Sequence, residues 1–267
     1  MTIEAFAPAK INLTLHVTGQ RADGYHLLDS LVVFADIGDR LWCAPGPDMR
    51  LTVTGPFADG VPQDARNLVW QAAELAQWTG HIRLEKNLPH GAGIGGGSSD
   101  AAALLQALGA ADSGLSLGAD VPVCRAGSAA RMGGVGEEVT PITGLPSLHA
   151  VLVNPGLHVP TPRVFAALDS KHNAPMTDMP TPMTPVAFDG WLRAQRNDLE
   201  PPAQAQQQVI VDVLNALRMR DGVGVARMSG SGATCFGLFD SRDMAERGAR
   251  DIEGAHPDWW VRACALS

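Results

Sequence analysis

One run of twelve residues constrains this chain more than any other: Pro89-His90-Gly91-Ala92-Gly93-Ile94-Gly95-Gly96-Gly97-Ser98-Ser99-Asp100. Before it, His81 to Lys86 alternates polar and apolar residues, the pattern of a half-buried strand. After it, Ala101 to Leu108 is built from the strongest helix formers. An ordinary strand-to-helix connection needs only a few residues. Glycines let a backbone approach a ligand closely and take positive φ. The free N–H groups and the positive dipole end of the following helix favour an anion. The segment therefore predicts a phosphate cradle, against the simpler reading of a flexible loop capped by Ser98 or Ser99. No Gly-x-x-x-x-Gly-Lys-Ser/Thr occurs, which excludes the usual P-loop. The run also lies too far into the chain for a dinucleotide fingerprint on an early βαβ unit.

At 267 residues the chain can form one large domain or two ordinary ones. Its 45% hydrophobic and 18% charged residues fit a compact globule. Its 20 basic and 28 acidic side chains give a net charge of −8, which argues against a nucleic-acid binder. An anionic ligand must then be held by local groups. Cys43, Cys124, Cys235 and Cys264 are widely spaced, as core thiols of a reducing compartment are. The histidines show no zinc spacing, so no protein metal site is expected. The first residues lack a basic region and an apolar run, and no segment is apolar enough to cross a bilayer. The expectation is a cytoplasmic protein, monomer or homodimer, with no membrane or nucleic-acid partner.

Ile11 to Val17 reads as the first clear strand, with Lys10, Asn12, Thr14 and His16 on its polar face. Residues 31–34, 40–43 and 50–53 read as further strands separated by Gly and Pro turns, and Asn67 to Thr79 as an amphipathic helix ended by Gly80. Leu148 to Val153 is a buried strand. Residues 169–185, rich in Pro and Met, read as a poorly structured surface excursion. Beyond it come a helix over 203–217, a hairpin of 224–228 and 234–239 around Ser229-Gly230-Ser231-Gly232, a helix over 244–252 and a strand over 260–263. Strands first and helices after favour an α+β fold. The last elements suggest a ferredoxin-like α/β sandwich. The boundary is expected near Pro146, giving domains 1–146 and 147–267.

Three clusters remain. Pro8-Ala9-Lys10-Ile11-Asn12 puts a lysine and an asparagine on one strand face. Gly118-Ala119-Asp120-Val121-Pro122 sets an acid among small and apolar residues, and Ser229-Gly230-Ser231-Gly232-Ala233 fits a hairpin turn. Taken singly, an exposed edge, a helix cap and a turn explain them. Their order with the glycine run resembles the three motifs of the GHMP small-molecule kinases. Asp23-Gly24-Tyr25-His26, Asn154-Pro155-Gly156, Pro160-Thr161-Pro162 and Arg196-Asn197-Asp198-Leu199-Glu200 make the resemblance closest to the branch acting on a cytidyl methylerythritol diphosphate.

That resemblance, running from Pro8 to about Phe239, implies a two-domain GHMP kinase architecture. Its N-terminal, ATP-binding and catalytic domain would resemble ribosomal protein S5, and its C-terminal domain would be ferredoxin-like. It implies ATP, as its Mg²⁺ complex, and phosphorylation of the substrate's tertiary 2-hydroxyl in non-mevalonate isoprenoid synthesis. Lys10 and Asp120 would be catalytic, and Pro89, His90, Gly91, Ala92, Gly93, Ile94, Gly95, Gly96, Gly97, Ser98 and Ser99 would wrap the ATP phosphates. Tyr25 and Phe165 would sandwich the cytosine, His26 would bond to it, and Asn12 and Thr161 would face the erythritol and diphosphate. The residues themselves agree in part: Tyr25 is the only tyrosine and sits beside an imidazole in a glycine-flanked loop. A homoserine, mevalonate or sugar kinase, or a non-catalytic nucleotide-binding module, are the rivals. The stretch 105–118 looks short for the family, so a helix there is expected to be trimmed.

Overall fold

A computed structural model describes residues 2–267. In chain order the strands are β1 (Ile3–Asn12), β2 (His16–Gln20), β3 (His26–Pro45), β4 (Arg50–Thr54), β5 (Gly80–Glu85), β6 (Ala130–Gly134), β7 (Glu138–Pro141), β8 (Leu148–Asn154), β9 (Val223–Met228), β10 (Cys235–Phe239) and β11 (Trp260–Leu266). The helices are α1 (Leu68–Leu75), α2 (Gly96–Ala107), α3 (Val121–Ala126), α4 (Thr161–Ala166), α5 (Pro185–Ala194), α6 (Glu200–Gln206), α7 (Val209–Arg218) and α8 (Arg242–Ala255). The fold is α+β, with strands dominating the first half.

The 20-residue strand β3 is the spine of the sheet. It pairs antiparallel with β1, β2, β5, β6 and β11, and the order continues from β11 through β8 and β10 to β9. The two strands expected at 31–34 and 40–43 are therefore one. Gly38, between them, makes no turn: a Cβ there would strike the Ala7 carbonyl on β1, so its missing side chain permits close pairing. The β1–β3 register shifts between Pro8 and Lys10. Such a bulge re-aims the side chains that follow it.

Further boundaries differ from the pattern. The strand expected over Ile11 to Val17 is split between β1 and β2, and its polar face is buried: Lys10, Asn12, Thr14 and His16 are all 3% exposed or less. Helix α1 is capped by the Asn67 side chain and stops at Ala76, before Gly80, which opens β5. The helix expected over 203–217 is two helices, broken at the extended Gln207. Residues 169–184 carry no helix or strand, yet they are tied down. The Met176 N–H donates to Asp29 Oδ2 (2.8 Å), the Asn173 N–H to the Val17 carbonyl (3.1 Å), and Met176 is buried. After α2 only a short 3-10 turn, Leu115–Leu117, precedes α3.

The cradle's Ala92 and Ile94 are buried in an apolar cluster with Ile11, Leu31, Val33 and Phe236, and two further clusters lie beyond it. One packs α1 and α2 on β3, β4 and β5; another joins β8, β10, α7 and α8. The sheet passes from the first half to the second through β11. Leu266 pairs with Ala35, and Phe34 and Ser267 exchange two backbone hydrogen bonds (2.8 and 2.9 Å).

Candidate active site

The glycine run is held by its carbonyls. Ile94 O accepts from the Lys10 N–H (2.9 Å), Ala92 O from the Thr234 N–H (3.1 Å) and Gly93 O from the Ser229 hydroxyl (2.9 Å). With those acceptors engaged by β1 and the 229–234 loop, the loop's N–H groups remain for a ligand. Gly91, Gly93 and Gly95 take φ of +62°, +75° and +64°, which only glycine adopts freely. At Gly93 a Cβ would lie 2.5 Å from the Ser229 carbonyl. Helix α2 begins at Gly96, earlier than the pattern suggested, and no side chain caps it. Ser98 and Ser99 therefore lie inside the helix, and the Ser99 hydroxyl donates to the Pro8 carbonyl (2.7 Å). An uncapped N-terminus in a glycine cradle suits phosphate.

A cavity of about 930 Å³ opens beside it. Gly91, Ala92, Gly93, Gly95, Gly96, Gly97 and Ser98 line one wall. Pro89, Ile94 and Ser99 line neither this cavity nor the smaller one next to it: they are buried in the scaffold and hold the loop. His90 is exposed at the smaller cavity, of about 190 Å³, with Val61, Asn67, Leu68 and Lys86. Leu68 and Gly97 line both cavities.

Lys10 and Asp120 meet in the cavity wall, Nζ to Oδ2 at 2.9 Å. The lysine side chain is 4% exposed and the carboxylate 33%. Asp120 stands at the start of α3 but caps nothing, so its carboxylate is free for another task. Asn12 Oδ1 accepts from Lys10 Nζ (2.9 Å), and Asn12 Nδ2 donates to the Ser30 hydroxyl (2.8 Å). The ammonium is thus fixed from two sides.

Tyr25, His26, Thr161 and Phe165 also line this cavity. Here the arrangement departs from a simple two-ring slot. His26 stacks on Phe165, centroids 4.6 Å apart and 24° from parallel, while Tyr25 is 63% exposed. Burial lowers the His26 imidazole's basicity, and the charge of Lys171 lowers it further. Thr161 shares a 2.7 Å hydrogen bond with the Ser231 hydroxyl of the second glycine loop.

Sequence reading passed over several residues that shape this site. Asn197 Nδ2 donates to the Met228 and Gly230 carbonyls, each at 2.8 Å, and so fixes the 229–232 loop. Ser229 bridges the Asn12 N–H (3.1 Å) and the cradle. Gln20 and Lys171 stand in the cavity wall. Behind the cradle, buried Lys86 lies between Asp39 and Asp100. Only long-range pairing brings these together, although the arginine-asparagine-aspartate motif did contain Asn197 and the second glycine cluster Ser229.

Two family models match the chain: "GHMP kinases N terminal domain" over residues 67–134 and "GHMP kinases C terminal" over 188–257. A protein of Dinoroseobacter shibae, named 4-diphosphocytidyl-2-C-methyl-D-erythritol kinase, is 58% identical, covering 99% of this chain and 95% of its own. The chain belongs to this family of GHMP kinases. A crystal structure of a 4-(cytidine 5'-diphospho)-2C-methyl-D-erythritol kinase, 36% identical, superposes with a TM-score of 0.76 over 99% of both chains. A homoserine kinase from Cytophaga hutchinsonii, at 17% identity and TM-score 0.67, shares the fold over 98% of this chain and 94% of its own. As a member of the family the chain is a kinase, using ATP and a small-molecule acceptor. No helix among the described residues is long and apolar enough to cross a membrane.

Proposed function

We propose that this kinase transfers the γ-phosphoryl group of ATP to the 2-hydroxyl of 4-diphosphocytidyl-2-C-methyl-D-erythritol, giving the 2-phosphate and ADP, in non-mevalonate isoprenoid synthesis. The observation that carries the reading is the Lys10–Asp120 pair, in one cavity with a phosphate cradle and a group of aromatic rings.

Asp120 takes the hydroxyl proton as the substrate oxygen attacks the γ-phosphorus. The bond from that phosphorus to the β–γ bridging oxygen breaks, and ADP leaves. Lys10, held by Asn12, offsets negative charge on the attacking oxygen and the transferred group. The N–H groups from Gly91 to Ser98 hold the phosphates. The smaller cavity, sharing Leu68 and Gly97 with the larger, supports placing the adenine between Asn67, Lys86 and His90.

Among the described residues no three His, Cys, Asp or Glu side chains gather into a metal cluster. Asp120 and Ser98 offer oxygen donors on the cavity wall, a set that fits Mg²⁺ held largely by phosphates and water. Bound there, it would neutralise phosphate charge. Tyr25 and Phe165 would clamp the cytosine, His26 moving off Phe165 to read the base edge. Thr161 would face the diphosphate. The four free cysteines support a reducing, cytoplasmic setting. A domain boundary near Pro146 falls between the segments matched by the two family models.

The test is a kinase assay of the purified protein with the cytidyl substrate, mevalonate and homoserine. The reading requires turnover on the first far above the other two. Preference for either comparator would replace it with another GHMP activity, and no phosphorylation of any would favour a nucleotide-binding module.

A further inference from the structure

The chain has three lysines, Lys10, Lys86 and Lys171, and its other permanently cationic side chains are arginines. Lys10 and Lys86 are paired with carboxylates and line the two cavities. Lys171 lines the larger cavity, and among the described residues no carboxylate lies within ion-pair distance of it. Its Nζ makes one hydrogen bond, to Gln20 Oε1 at 3.1 Å. An ammonium has three donors and no acceptor, so donors remain to be satisfied.

The side chain is not on a loose loop. Two residues on, Asn173 bonds to the Val17 carbonyl through its N–H and its Nδ2, and Nδ2 also reaches Asp198 Oδ2 (3.2 Å). That anchoring holds Lys171 at the aromatic end of the cavity, with Gln20, Tyr25, His26 and Phe165. His26 Nε2 is buried there without a partner. The nearby carboxylate on this wall, Asp23, is already paired with Arg21 at 2.8 Å. A half-buried cation and an imidazole therefore line together the space where the substrate's base would sit.

We propose that Lys171 is a specificity-determining residue, its ammonium donating to the acceptor edge of the substrate's pyrimidine. The inference rests on the proposed substrate. Cytosine presents two adjacent acceptors, O2 and N3. Uracil keeps O2 but replaces the second acceptor with an N3–H donor. A donor-only group satisfies the first edge and opposes the second, so it discriminates by leaving a buried polar group unpaired. Burial disfavours a proton on His26 and the same charge adds to it, which favours the neutral imidazole, able both to donate and to accept.

The experiment compares the full chain with Lys171→Met and Lys171→Arg, measuring KM for ATP, the cytidyl substrate and its uridyl analogue. Lys171→Met should raise KM for the cytidyl substrate about tenfold or more, as loss of a charge-assisted hydrogen bond does. It should narrow the cytidyl-over-uridyl preference and leave KM for ATP unchanged. Lys171→Arg should recover most of both effects. In the methionine variant the His26 titration followed by NMR should move up, because a positive neighbour is gone. A merely structural role would not change base preference. Unchanged cytidyl KM and base preference in a folded Lys171→Met protein, beside an active parent, would overturn the proposal. A parent inert towards the cytidyl substrate would overturn the substrate reading and this proposal with it.

Discussion

Lys10 and Asp120 lie 110 residues apart in the chain and 2.9 Å apart in the fold. Asp120→Asn keeps the size but removes the proton acceptor and its negative charge. It should lower kcat by at least about 100-fold, the usual contribution of a general base, while an ATP analogue still binds. Steady-state kinetics with calorimetry checks this, and near-normal turnover in a folded variant would remove Asp120 from the mechanism. A second carboxylate acts on stability. Asp100 is buried with one oxygen unpartnered, and burial raises its pKa from 3.8 to about 7 against the pull of Lys86. Burial works against the Lys86 ammonium too, but Asp100 and Asp39 outweigh it and keep it protonated. Between about pH 4 and 7 the folded state therefore holds a proton at Asp100 that the unfolded state has lost. This group's contribution to stability falls as pH rises through that window and is level above it. Asp100→Asn should flatten this part of the profile. Melting temperatures at pH 5 and 8 that change equally in both proteins would clear Asp100 of the effect.

At the scale of elements, the cradle and the start of α2 separate two kinds of glycine. Gly95 has φ +64°, and a Cβ would sit 3.1 Å from Lys10 Cβ and Cε. Gly96 is helical, and its Cβ would meet only ordinary contacts, the nearest 3.5 Å away at Lys86 Nζ. Gly95→Val should abolish binding of an ATP analogue in a folded protein, by backbone strain and by displacing Lys10. Gly96→Ala should bind nearly as the parent does. Calorimetry that found Gly95→Val unaffected would reduce the run to an ordinary loop. The geometry of this element was legible because it is local: glycine spacing, then helix formers, then the shared face of Lys10 and Asn12. What could not be read depends on pairing between distant segments. Gly38 looks like a turn until β1 is seen passing close to it. Pro201 and Pro202 look like a boundary but fit the first turn of α6, which starts at Glu200. Residues 169–184 look free because their anchors, Val17, Asp29 and Asp198, lie far away in sequence.

For the whole molecule, the cavity is a product of both halves. Lys10, Asn12 and the cradle come from the first; Thr161, Phe165, Lys171 and the 229–232 loop come from the second. The halves share one sheet through β11, so the walls are set by a continuous scaffold. The proposed base clamp spans that junction, with Tyr25 on the β2–β3 connection and Phe165 on α4. His26 already stacks on Phe165, so a base entering between the rings must displace it. Removing either ring should cost about 1–3 kcal/mol of stacking. Because the base lies away from the reacting hydroxyl, the loss should fall on KM for the cytidyl substrate rather than on kcat or on ATP affinity. In Tyr25→Ala/Phe165→Ala the two penalties should sum to less than their separate values, since the first truncation already opens the slot. His26→Ala should narrow the preference for cytosine over uracil without reproducing the stacking loss. Measuring KM for ATP and for both pyrimidine substrates in the parent and these four variants decides between arrangements. Full additivity would mean that the rings do not share one base. Penalties appearing in ATP affinity would move the nucleotide to this end of the cavity, and with it the direction in which the phosphoryl group travels.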